Sequence, residues 1–208
     1  ISTGFVFGFQ PANDKSDLRQ KEFFIPEMYI GNRAASYSEV SSLLTNKASI
    51  DAFAAKYKAG VINFDPRSGF PMSITASIPL IPGNGVGNRI KLMKEVDAKF
   101  VAERFRNFVI KNQAALGIDV NQLGAVKATK VTDRLWHINI PQQVNGVPVR
   151  WSHFTAVINS GNIILQGAAT WGNVKIDTNP TINADQAMAL GFQYAGGKLS
   201  QDLIWKKP

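Results

Sequence analysis

The sequence predicts an α+β fold in which one long amphipathic helix lies across an antiparallel β-meander. Three observations carry that expectation. Apolar and polar residues alternate through 135–140 and again from Val147, with the turn-forming run Gln142-Gln143-Val144-Asn145-Gly146 between them. Met93, Val96, Phe100, Val101, Phe105, Phe108 and Val109 recur at three- and four-residue spacings, the signature of a helix with one apolar face. A chain of 208 residues, 45% of them hydrophobic, is long and apolar enough to bury a real core.

Taken in chain order, Gly4-Phe5-Val6-Phe7-Gly8-Phe9 and Phe23-Phe24-Ile25 read as short extended segments. Ser36 with Glu39 forms a capping box ahead of Val40, Leu43 and Leu44. Ile50, Phe53, Ala54 and Tyr57 make a second helical stripe, expected to stop at Gly60. Residues 1–60 are thus expected to be an N-terminal extension with short helices. Residues 61–64 then lead into Asp65-Pro66-Arg67-Ser68-Gly69, where Asp opens a turn, Pro presets φ and Gly accepts the left-handed conformation. The return strand covers 72–81, with Pro79 and Pro82 marking an edge or exit.

Gly83-Asn84-Gly85-Val86-Gly87-Asn88 invites comparison with a phosphate loop. Its spacing is neither Gly-x-Gly-x-x-Gly nor that of a P-loop ending in Gly-Lys-Ser/Thr, so it reads as a flexible connector. The long helix follows and ends near Gly117. Strands are expected at 125–132, 135–140, 147–158 and 163–170. A later helix opens on a second capping box, Asn183 with Gln186, presents Ala187, Leu190 and Tyr194 on one face and closes at Gly196-Gly197. A strand at Leu203-Ile204-Trp205 comes last.

The chemistry available to the chain is narrow. It has no cysteine, hence no disulfide, thiolate zinc site or cysteine nucleophile. Its two histidines, His137 and His153, fall on adjacent expected strands without an evident third ligand, and neither His-Glu-x-x-His nor Gly-x-Ser-x-Gly occurs. No metal, no cofactor and no catalytic residue are expected. The carboxylate pairs Asp14/Asp17 and Glu95/Asp97 read as solvated. The formal charge is +8, and the densest basic stretch, 89–111, carries seven Lys/Arg interrupted by Glu95, Asp97 and Glu103. That pattern is a solvated helix face, so an acidic protein partner is expected and nucleic acid is not. No apolar run approaches the roughly 20 residues that span a bilayer, and no membrane partner is expected. A start at Ile1 without Met or a charged leader is expected of an N-terminus removed by signal or pro-segment cleavage, in keeping with export, or of a sequence cut from a longer one. Trp136 and Trp151 are expected to be buried; Trp171, Trp205, Arg150 and His153 are the candidates for a protein interface.

Several separate pieces also occur in a telling order. They are Phe-Asp-Pro-Arg-Ser-Gly-Phe-Pro at 64–71, Leu116-Gly117-Ile118 at the helix end, Gln-Gln-Val-Asn-Gly-Val-Pro-Val at 142–149, the Asn-Ser-Gly-Asn turn at 159–162 and Thr-Ile-Asn-Ala-Asp-Gln-Ala at 181–187. Together the earlier pieces resemble the fungalysin/thermolysin propeptide domain, and the last resembles the opening of the peptidase propeptide and YPEB domain. The resemblance covers roughly residues 61–208. It implies a cystatin-like unit at 61–175 and part of a second, similar unit at 176–208. It implies motif roles for Asp65, Pro66, Gly69, Gln143, Gly146 and Pro148. It further implies a secreted or periplasmic, non-catalytic pro-segment that chaperones and inhibits the catalytic domain of a thermolysin-like zinc metalloprotease. The alternative is a standalone extracellular module that binds peptide or cell-wall glycan. Of the glycines, Gly146 at the hairpin is expected to tolerate valine less well than Gly85 in the glycine-rich loop.

Overall fold

A computed structural model of the chain describes residues 34–65, 68–91 and 95–194. The expected segments at 4–9 and 23–25, Asp14, Asp17, Pro66, Arg67, Met93, Gly196, Gly197 and Trp205 lie outside the described residues. Those described fold as a mixed α/β structure with one antiparallel sheet of seven strands. The strands are β1 (Ala35–Ser36), β2 (Ile62–Phe64), β3 (Pro71–Pro79), β4 (Lys127–Lys130), β5 (Leu135–Val144), β6 (Val147–Asn159) and β7 (Asn162–Ala169). Their spatial order is β1-β2-β3-β7-β6-β5-β4, so the early hairpin adds to the meander along β7. This unit runs from Asn32 to Thr178.

The helices are α1 (Tyr37–Val40), α2 (Lys47–Tyr57), α3 (Ala98–Lys111), α4 (Gln113–Leu116) and α5 (Ala184–Tyr194). At α1 the expected capping box of Ser36 with Glu39 is present, the Ser36 backbone N–H donating to the Glu39 carboxylate over 2.7 Å. Residues 34–60 join the sheet unit: β1 pairs with β2, and Phe53 of α2 is buried in the main core. The expected stop of α2 at Gly60 is corrected to Lys58. Lys58 takes a left-handed φ of 50° and bonds back to Ala54, while the Gly60 N–H goes instead to the Thr75 carbonyl at 2.8 Å.

The long helix starts later than the apolar spacing suggests. The Asp97 carboxylate accepts from the Phe100 N–H at 2.7 Å and so caps α3, leaving Val96 in the preceding loop. Val101, Phe105, Phe108 and Val109 are its buried face, and the Phe105 ring lies 6.0 Å from that of Phe154 on β6. At about 1.5–3 kcal/mol for each such side chain, this face is sufficient to fix the helix to the sheet. The helix breaks at Asn112, whose side-chain amide donates to the Phe108 carbonyl at 2.7 Å. It resumes as α4 and ends at Gly117 with φ 68°.

Alternation in β5 places Trp136, Ile138, Ile140 and Gln142 inside and His137, Asn139 and Pro141 outside. Two tight turns of the same type bound β6. Asn145 (φ 48°) and Gly146 (φ 83°) join Val144 to Val147; Ser160 (φ 49°) and Gly161 (φ 88°) join Asn159 to Asn162. The glycine-rich loop 83–88 is not a free connector. Its Gly85 N–H donates to the Ser160 carbonyl at 2.8 Å, and the Asn88 side-chain amide donates to the Ile81 carbonyl and the Asn162 Oδ1, both at 2.9 Å. Asn162 in turn donates to Ser77 Oγ at 2.8 Å and the Val86 carbonyl at 2.9 Å.

The two glycines are constrained in different ways, Gly85 by its neighbours and Gly146 by its left-handed φ of 83°. A Cβ on Gly85 would lie 2.6 Å from the Asn162 side chain, whereas one on Gly146 would meet nothing within 4 Å. Helix α5 belongs to a second unit. Its capping box is complete, with Asn183 N–H to Gln186 Oε1 and Gln186 N–H to Asn183 Oδ1, each 2.9 Å, and none of its residues is buried.

Candidate docking surface

β7 pairs with β6 only as far as His153, and β4 pairs with β5 only as far as Asn139, so the β5–β6 hairpin runs on beyond both neighbours. Within this arm the register jumps. Pro141 faces His153 and Gln143 faces Pro148, which sets the single residue Gln142 against the four residues 149–152. At this bulge Trp151 has φ 64°, its side chain is 74% exposed, and the Arg150 guanidinium lies 5.1 Å from the indole centroid. Across from it Thr170 has φ 47°, and its hydroxyl donates to the Trp151 carbonyl at 2.5 Å. Left-handed backbone at non-glycine residues costs about 1–3 kcal/mol apiece and persists only where the surroundings over-determine it.

A buried amide network supplies that determination. Gln142 is fully buried; its Nε2 donates to Gln122 Oε1 at 2.6 Å and to the Gly172 carbonyl at 2.5 Å, and its Oε1 accepts from Ser152 Oγ at 2.5 Å. Gln122 continues the chain of bonds, giving Nε2 to the Val174 carbonyl at 2.9 Å and accepting the Val174 N–H at 3.1 Å. One side chain therefore fixes the bulge, the 3-10 turn Val120–Gln122 and the exit from β7 together.

The two tryptophans beside this network exchange their expected places. Trp171, expected at an interface, is 1% exposed in the core; Trp151, expected in the core, stands in solvent. For Trp151 the physical reason is the bulge. The extra residues of β6 break its parity, so Ser152, Phe154, Ala156 and Ile158 form the inward set and Trp151 falls outside it. Trp136 is buried. Arg150 is exposed and His153 half-buried. Asp65 and Gly69 form one turn, with the Gly69 N–H bonding the Asp65 carbonyl at 2.8 Å and Gly69 at φ 70°. Gln143, Gly146 and Pro148 belong to the separate hairpin of β5 and β6.

The sheet has one face under the buried side of α3 and one without a helix of this unit. Register aligns Thr75, Leu165, Val157, His137 and Thr129 across the latter face, with Thr155, Asn139 and Lys127 in the next row. A depression of about 430 Å³ is lined there by Lys127, Thr129, His137, Asn139, Thr155 and Val157. Between residues 127 and 169 the sole acidic residue is Asp133, in the turn after β4 and 3.0 Å from Lys130, against Lys127, Lys130, Arg134 and Arg150. His137 and His153 stand opposite Val157 and Pro141 respectively, hence four residues, roughly 13 Å, apart along the strands. Among the described residues no three His, Cys, Asp or Glu side chains group to hold a metal, and no helix is long and apolar enough to cross a membrane.

No protein-family model, curated protein or solved structure matches the chain. Its surface has to be read from its own chemistry. The network residues Gln122, Ser152 and Thr170 belong to no motif, and Gln142, read in sequence as part of a turn, carries a further visible signal: it continues the inward parity of Trp136, Ile138 and Ile140, where an apolar residue is the rule.

Proposed function

We propose that the chain is a non-catalytic docking domain, the pro-segment of a secreted or periplasmic zinc metalloprotease of the thermolysin or fungalysin type. The observation that carries this reading is the charge of strands β4 to β7, which hold Lys127, Lys130, Arg150, His137 and His153 and no acid, with Lys127 and His137 on the face opposite α3. Such a face is complementary to an acidic protein surface, which speeds encounter and orients the partner. Affinity comes from area, and burying around 800 Å² on each partner is sufficient for a specific complex. Bound to the folding catalytic domain, the pro-segment stabilises the native state by mass action and closes the substrate cleft sterically. In this reading the unit is cystatin-like, one helix on an antiparallel sheet, and α5 opens a second unit of the same kind.

The test is to refold a thermolysin-type catalytic domain with and without the chain and then to titrate the chain into a peptide-hydrolysis assay. We expect a higher yield of active enzyme, slower hydrolysis and an association rate that falls as salt rises. No change in yield or hydrolysis at micromolar concentrations would overturn the reading. A second reading, an extracellular module for peptide or cell-wall glycan, is favoured by the exposed indole of Trp151. Retention on peptidoglycan without any effect on the protease would select it.

A further inference from the structure

We propose that Trp151, with the Arg150 guanidinium against its ring, is the anchor by which the chain grips its protein partner, and that the matching surface is an apolar cleft edged by carboxylates. The inference rests on the docking reading above and names the residue and the partner chemistry that reading leaves open. It begins from a conflict between two properties of one residue. Trp151 is the only exposed tryptophan among the described residues, and it occupies a backbone conformation that favours glycine. Nothing in the fold requires an indole there, since the side chain stands in solvent.

The fold nevertheless fixes that backbone from two sides. Thr170, itself left-handed, holds the Trp151 carbonyl, while Gln142 binds the neighbouring Ser152 hydroxyl from inside the core. Strain that is held in place around an exposed side chain is a feature of recognition sites. A rigidly presented indole loses little conformational freedom on binding, which is the general advantage of preorganisation. Tryptophan and arginine are also the side chains that most often dominate protein interfaces, the ring by filling a pocket and the guanidinium by pairing with carboxylates. Arg150 already lies against the indole, so one insertion would bring the ring into an apolar cleft and the cation to its rim. The scarcity of acid between 127 and 169 removes internal competitors for the partner's carboxylates.

The full chain and its variants are tested by calorimetric titration into a zinc-loaded thermolysin-type catalytic domain, with thermal melts alongside. Trp151→Ala is expected to weaken binding by about thirty-fold, the scale of a hot-spot residue, with an unchanged melting temperature. Trp151→Gly should weaken it as much while raising the melting temperature, because glycine adopts the left-handed backbone without strain. Arg150→Gln should weaken binding less and flatten its salt dependence. Val86→Ala, at an exposed side chain in the glycine-rich loop, should leave binding unchanged. Binding of Trp151→Ala as tight as that of the unsubstituted chain overturns the anchor and leaves the docking reading standing; no binding by the unsubstituted chain overturns both. Melting temperatures that fall in both Trp151 variants would make the indole a structural group and overturn the proposal. A blue shift of tryptophan emission on phosphatidylglycerol vesicles or soluble peptidoglycan, without binding to the protease domain, would overturn the choice of partner.

Discussion

The two ends of the meander are built from the same turn and used in opposite ways. Asn145-Gly146 and Ser160-Gly161 have nearly equal φ values, 48° and 83° against 49° and 88°. At the second, the chain closes in from all sides: Leu80 and Ile81 both donate to the Gly161 carbonyl, and a Cβ on Gly161 would lie 2.6 Å from the Ile81 carbonyl oxygen and from Asn88 Nδ2. At the first, a Cβ on Gly146 would meet open space. Turn geometry therefore says nothing about importance; its surroundings do. The crowded end fastens the early hairpin and the glycine-rich loop to the meander, whereas the open end is free to meet something else.

Substitutions at the two ends should separate these roles. The largest effect is expected from Gly83→Val, because a Cβ there would lie 2.2 Å from the Ser160 carbonyl oxygen, and backbone cannot step aside as a side chain can. A loss of about 4 kcal/mol or more in a urea melt is expected; a loss below about 1 kcal/mol would refute the clamp. Next comes Gln142→Leu, which strands the Ser152 hydroxyl in the interior and takes a donor from the half-buried Gly172 carbonyl, and should cost about 2–4 kcal/mol. Limited trypsinolysis of that variant should cut faster after Arg150, the residue the network holds in place, and an unchanged cleavage rate would show that the bulge stands without it. Gly146→Ala should cost only about 1 kcal/mol, the strain of a left-handed alanine.

The smallest effect belongs far from both ends, on α2. There the hydrogen bond from Lys47, 2.6 Å long, and then that from Tyr37 hold the Asp51 carboxyl below its ordinary range, while Asp51 holds Lys47 above its own. Because the folded Asp51 value lies below the unfolded one, its contribution is present at neutral pH and lost as pH falls through the folded value. Both groups are exposed, so Asp51→Asn should lower the neutral-pH melting temperature slightly and leave the melt in strong acid unchanged. An equal shift at both pH values would remove the ion pair as its cause.

The meander was legible because its signals are local. Period-two alternation in 135–140, two Gly-containing turns and the stripe of α3 each need only a dozen neighbouring residues to be read. What was not legible depended on contacts far along the chain. The glycines at 83–87 look permissive in isolation, and only the Ser160 and Asn162 groups, more than seventy residues later, make that loop rigid. The place of Trp151 turned on a bulge held by the bond from Ser152 to Gln142 and that from Gln142 to Gly172, which tie β5 and β6 to the exit from β7. Alternation counted through 147–151 assumes one residue for one, and a bulge with four residues opposite one breaks the count. For the same reason the exposed face was readable as a set of residue types but the exposure of Trp151 was not.

The rims of the sheet bear on how this protein can meet others. β1 offers two residues and β4 four, the latter begun and ended by exposed lysines, Lys127 and Lys130. Among the described residues a strand pairing at either rim finds a short ladder, and at β4 two charges that must be desolvated to extend it. Among the described residues β6 is paired on both sides from His153 to Asn159, so along that stretch only the short rims are open to edge-to-edge pairing.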